Sequence, residues 1–124
     1  MLFLDPVTCL AAALYFEARS EDIPHQLMVA STIMNRVESR RFPDTVCGVV
    51  KQKHQFSFYW DGVKEVIHEP EAYERSIYWA QEVLSKNISF HKGCHYAGHD
   101  VSRTWMDGMT REVHGYHAFY EGGC

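Results

Sequence analysis

Glu17 stands where a carboxylate is least expected. In the Ala-rich run TCLAAALYFEAR, residues 8–19, Leu10, Leu14 and Glu17 recur at i, i+4 and i+7 and share one helix face. Spacing alone favours a glutamate whose head reaches water past a neighbour, as most glutamates do. Arg19, Glu21 and Asp22 follow closely, so a cluster of charges at a helix end is a second bland reading. The functional reading is a carboxyl held against apolar surface, which Tyr15 and Phe16 could supply. Desolvation disfavours the charged form and raises the pKa, which suits a general acid near neutral pH.

The histidines are the next chemistry-bearing group. His91, His95 and His99 are four apart with Cys94 among them, and His114 and His117 are three apart. On a helix the first three would share a face and could bind zinc. The run HKGCHYAGH holds two glycines, however, and there is no H-E-x-x-H and no Cys pair, so hydrogen-bonding or core histidines are the preferred reading. A Cys-His nucleophile is formally available, but nothing local marks a cysteine as activated. QFSFYWDG, residues 55–62, sets Gln55 and Ser57 beside four aromatic rings, an arrangement that suits a carbohydrate or equally a self-pinned aromatic loop.

These residues need elements to position them. Asp5 and Pro6 open a first helix that runs to about Ser20. Pro24 starts a second, with Leu27, Ala30, Ile33, Met34 and Val37 on one stripe, and RRFPD breaks it. TVCGVVKQ reads as a short helix or turn. EPEAYERSIYWAQEVLSK is a third long helix with Tyr73, Ile77, Ala80 and Leu84 inward. After Asn87 the helical period is lost, and CHYAGHD, TWMDG and GYHAFYEGG read as short strands, turns and one helical turn. The expected fold is mainly α (α+β), a single domain over residues 1–124.

Bulk properties narrow the function classes. The chain has 124 residues, a net charge of −4 and 14% aromatic residues. The charge argues against a dedicated nucleic-acid binder. Residues 36–54 nevertheless carry Arg36, Arg40, Arg41, Lys51 and Lys53 against Glu38 and Asp44, while residues 61–82 are correspondingly acidic. Two solvated faces explain this; a basic rim for an anionic polymer is the sharper reading. Cys9, Cys47, Cys94 and Cys124 allow three disulfide connectivities, and the expectation is reduced thiols, with Cys9 buried. MLFLDP does not read as a signal peptide and no apolar run approaches a membrane span, so synthesis in a cytosol is expected.

AAALYFEARSE, QLMVASTIMNRVESRRFPDTVCGVV, QFSFYWDG, GCHYAGHDVSRTW and GYHAFY together resemble the SleB-type cell wall hydrolases, which include spore-cortex-lytic enzymes and phage lysins. The long run from Asn35 to Val50 carries most of the specificity. The resemblance implies a lysozyme-like fold of the lytic transglycosylase kind. The substrate it implies is the peptidoglycan glycan strand, cut at the β-1,4 bond between N-acetylmuramic acid and N-acetylglucosamine. It makes Glu17 the catalytic acid. It puts Gln55, Phe56 and Ser57 in a cleft-lining loop and His95 and Tyr96 in a C-terminal cleft motif, with Asp61 and Trp105 completing the substrate-binding set. Ser20 and Cys94 depart from the residues the family commonly has there.

One glutamate suffices for that chemistry. Protonated Glu17 would give its proton to the glycosidic oxygen, then as carboxylate take one from the C6 hydroxyl, closing a 1,6-anhydro ring. No metal and no cofactor are expected, and a monomer without membrane insertion is favoured. A hydrolytic muramidase would need a second carboxylate, for which Glu21, Asp22 and Asp61 are available. A non-catalytic glycan-binding module and a zinc-dependent peptidase or amidase are rival readings. A phage or prophage lysin waiting in the host cytosol fits the expected place of synthesis.

Overall fold

A computed structural model describes residues 5–52 and 67–124 and opens with α1, Pro6–Ala18. The Asp5 carboxylate accepts the Thr8 N–H at 2.9 Å, and Pro6 occupies a first-turn position that needs no donor. Every residue from 9 to 15 is fully buried, so α1 is the axis of the fold and not an amphipathic surface helix. Among the described residues, three helices pack around it: α2 (Ile23–Glu38, capped by Asp22), α3 (Val46–Lys51, capped by Thr45) and α4 (Pro70–Lys86). The start of α4 has no side-chain cap of its own. Instead the buried Tyr15 hydroxyl accepts the N–H groups of His68 and Glu69 at 3.0 and 2.9 Å, and Arg19 pairs with Glu69 at 2.6 Å.

The chain then forms β1 (His95–Gly98), a 3₁₀ turn (Thr104–Met106), β2 (Arg111–His114) and β3 (His117–Tyr120). The sheet is antiparallel in the order β1-β3-β2, with Tyr96 opposite Phe119 and Gly98 opposite His117. Gly115 and Tyr116 make the two-residue turn between β2 and β3, and Gly115 supplies the positive φ of +54° that this tight connection needs. The mainly helical α+β reading therefore holds, including the strands and the helical turn in the last third. No helix among the described residues is long and apolar enough to cross a membrane.

The expectation of reduced thiols is overturned. Cys9 is bonded to Cys47 and Cys94 to Cys124, each pair with Cα atoms 5.3 Å apart. The first bond ties the core helix α1 to α3. The second ties the entrance of β1 to the chain's last residue, which returns alongside it as Gly122 accepts the Cys94 N–H at 3.0 Å. Sequence separations of 38 and 30 explain why no local C-x-x-C motif announced either bond.

Candidate active site

Glu17 sits one residue from the C-terminal end of α1, where the enclosed helix emerges beside the sheet. Burial pushes its carboxyl up to about 7, and a hydrogen bond from Tyr96 opposes that rise in part. Tyr96 is pushed well above the ordinary tyrosine value by burial and by Glu17, so its hydroxyl stays protonated and donates to the carboxyl. A carboxyl poised near neutrality, with one fixed donor, can give a proton and then take one back. The burial foreseen for Glu17 is present; of its neighbours, Tyr15 is fully buried and Phe16 meets it edge-to-face at 4.9 Å and packs against the core.

Tyr96 reaches Glu17 because α2 grips the segment ahead of β1. Ser31 Oγ accepts the Phe90 N–H at 2.8 Å. Thr32 Oγ1 lies 2.7 Å from His91 Nε2, and His91 Nδ1 accepts the Gly93 N–H at 3.0 Å. Asn35 donates to the carbonyls of His91 and Gly93 at 2.9 and 2.8 Å, and Arg36 Nε donates to the Cys94 carbonyl at 2.6 Å. The Arg36 guanidinium also lies over the Phe42 ring, 4.7 Å from its centroid. Four polar side chains on one face of α2 thus hold residues 90–94 in register. Gly93 fits there only as glycine, since a Cβ would overlap the Tyr120 carbonyl.

A family model described as Cell Wall Hydrolase matches residues 20–120 of the chain. The chain belongs to that family. It is 43% identical over 56 residues to a spore cortex-lytic enzyme of Oceanobacillus iheyensis and 39% identical over 56 residues to one of Bacillus subtilis. Each match covers 45% of this chain and about a fifth of the relative, 20% and 18%. Among solved structures, the catalytic domain of the germination-specific lytic transglycosylase SleB from Bacillus anthracis aligns with a TM-score of 0.74 and 25% identity, covering 97% of both chains. The catalytic domain of the Bacillus cereus SleB protein aligns at 0.71 and 27% identity, covering 94% of this chain and 89% of the other. The lysozyme-like expectation thus finds its counterpart in the SleB catalytic domains.

Of the site residues read from the sequence, Glu17 and Tyr96 come together in this member of the family. His95 precedes Tyr96 on a strand and faces the opposite side of the sheet, where it stacks near Trp105 at 4.8 Å and Phe42 at 6.1 Å. His95 and Trp105 are therefore not brought to Glu17 with Tyr96. Gln55, Phe56, Ser57 and Asp61 lie outside the described residues. Asp22 Oδ1 accepts the His25 N–H at 2.9 Å as the α2 cap, and Glu21 Oε2 stands 3.6 Å from His25 Nδ1. His91 is a core histidine held on both ring nitrogens, with burial lowering its pKa. Among the described residues no group of three His, Cys, Asp or Glu is placed to hold a metal. The sequence reading missed the roles of Asn35 and Arg36; two polar residues beside the apolar stripe of α2 were the available signal.

Proposed function

We propose that this chain cleaves the glycan strand of peptidoglycan as a lytic transglycosylase, with Glu17 as its single acid/base. The observation that carries the reading is the Glu17 carboxyl, held near pKa 7 by burial and hydrogen-bonded to Tyr96. Near neutral pH it protonates the glycosidic oxygen between N-acetylmuramic acid and N-acetylglucosamine. The carboxylate so formed, steadied by the Tyr96 hydroxyl, then takes the proton of the muramic acid C6 hydroxyl. That oxygen closes on the anomeric carbon and leaves a 1,6-anhydro end, with no water consumed. Asp22 is engaged in a helix cap and Glu21 with His25, which leaves Asp61, outside the described residues, as the remaining candidate for the second carboxylate that a muramidase needs. The likeness to the catalytic domain of SleB from Bacillus anthracis, a germination-specific lytic transglycosylase, supports the transglycosylase reading.

Under the same proposal the chain works as one monomeric domain at the bacterial cell wall, without a metal. Gln55, Phe56, Ser57, Asp61 and Tyr96 line its glycan cleft, from which the far-side position of His95 and Trp105 excludes those two. Its role is that of a phage or prophage lysin. Turbidity assays on vegetative cells and on isolated spore cortex separate that role from a cortex-specific one. Mass spectrometry of a peptidoglycan digest tests the reaction itself. Anhydro-muropeptides are expected; reducing ends would make the enzyme a hydrolase, and free peptides an amidase or peptidase.

A further inference from the structure

A line of polar side chains lies behind Tyr96, away from the grip of α2 on residues 90–94. His25 is fully buried, and its Nε2 stands 2.7 Å from Nδ1 of His117 on β3. Its other nitrogen, Nδ1, faces Glu21 Oε2 at 3.6 Å. The β2–β3 turn closes onto this group: a Cβ on Gly115 would overlap the Glu21 carboxylate and lie 3.1 Å from His25 Nδ1. The His117 ring meets the Tyr96 ring edge-on, 4.9 Å away at 78°. Phe119 packs on Tyr96 at 5.3 Å and is itself met by His25 at 5.5 Å. Tyr96 is thus clamped between His117 and Phe119, and both rest on His25.

The shared hydrogen bond has one direction. The titratable groups facing His25 are Glu21, Asp22 and His114, and those facing His117 are His25 and Glu21. Burial lowers both imidazoles, His117 to about 4 with His25 adding to the effect, so both rings are neutral at working pH. The Glu21 carboxylate favours a proton on His25 Nδ1. His25 Nε2 then accepts, and His117 Nδ1–H donates. A fixed proton order of this kind sets the ring angle of His117, and that ring is one wall of the Tyr96 slot.

We propose that Glu21, His25 and His117 are positioning residues for the acid, acting through Tyr96 to keep its hydroxyl on the Glu17 carboxyl. This rests on Glu17 being the acid of a glycan-cleaving enzyme. The test compares kcat, KM, pH–rate profile and melting temperature for the wild type, Tyr96→Phe, His25→Leu and His117→Phe on soluble peptidoglycan fragments. His25→Gln and His117→Asn, which keep a polar atom at the bonding positions, are the rescue variants.

Loss of position lowers kcat, by roughly 10- to 100-fold for displacements near 1 Å, with KM little changed. Because the Tyr96 bond holds the Glu17 pKa down, its loss moves the alkaline limb of the profile to higher pH. The histidine variants move that limb in the same direction as Tyr96→Phe, the rescue variants return it, and Tyr96→Phe/His117→Phe goes no further than Tyr96→Phe. A limb that stays at the wild-type position in His25→Leu and His117→Phe, while Tyr96→Phe shifts it, overturns the positioning role alone. Additive effects in the double variant, or losses that track melting temperature in the rescue variants too, overturn it as well. Full activity in Glu17→Gln would overturn the acid assignment and this proposal together.

Discussion

Ionised Glu17 destabilises the fold, whereas the protonated form that acts as the acid does not. Its folded pKa of about 7 lies above the unfolded 4.5, so the folded chain holds the proton more tightly. The stability associated with that proton is present below pH 4.5 and lost as pH rises to about 7, a difference on the order of 3 kcal/mol. Glu17→Gln removes the ionisation. The variant should melt above the wild type at pH 8 and gain much less at pH 4. Calorimetry at the two pH values checks this, and an equal shift at both would mean that burial does not set the Glu17 pKa. Tyr96→Phe acts on the same group from the other side, raising the Glu17 pKa and moving the alkaline limb of activity upward.

At the scale of elements, the geometry of the candidate site depends on how α2 carries β1. Asn35→Ala strands two carbonyls, those of His91 and Gly93, in a half-buried seam. Each lost partner costs about 1–3 kcal/mol, so denaturant titration should show a loss of that order or more. Gly93→Ala should be as damaging, because its Cβ meets the backbone of Tyr120 and not a movable side chain. The helices were legible in the sequence: Asp5, Pro6 and the apolar stripes mark them plainly, and the loss of period after Asn87 marks the sheet region. Glu17 was legible as an anomaly on an apolar face. The grip of Asn35 and Arg36, the His25–His117 pair and both disulfides were not, because each joins residues 30 or more positions apart whose partners no local pattern names. The sides of the sheet taken by His95 and Tyr96 follow from strand alternation, which needs the strand and its partners to be placed first.

For the molecule as a whole, the two disulfides fasten the central helix to α3 and the chain end to β1. Closing loops with separations of 38 and 30 residues contributes about 3–4 kcal/mol each by the chain-entropy argument. Reductant should therefore lower the melting temperature substantially. Cys94→Ser/Cys124→Ser should reduce activity more than Cys9→Ser/Cys47→Ser at matched stability, since the second bond lies two residues from Tyr96. Rates below each variant's melting transition check this ordering. The central claim is that one carboxyl on the buried helix of this cell wall hydrolase family member does the acid–base work. Its most direct test is the rate of glycan cleavage by Glu17→Gln at neutral pH, with circular dichroism confirming the fold. A fall of ~10²-fold or more with the fold intact is predicted; a folded variant that still cleaves at the wild-type rate would contradict it.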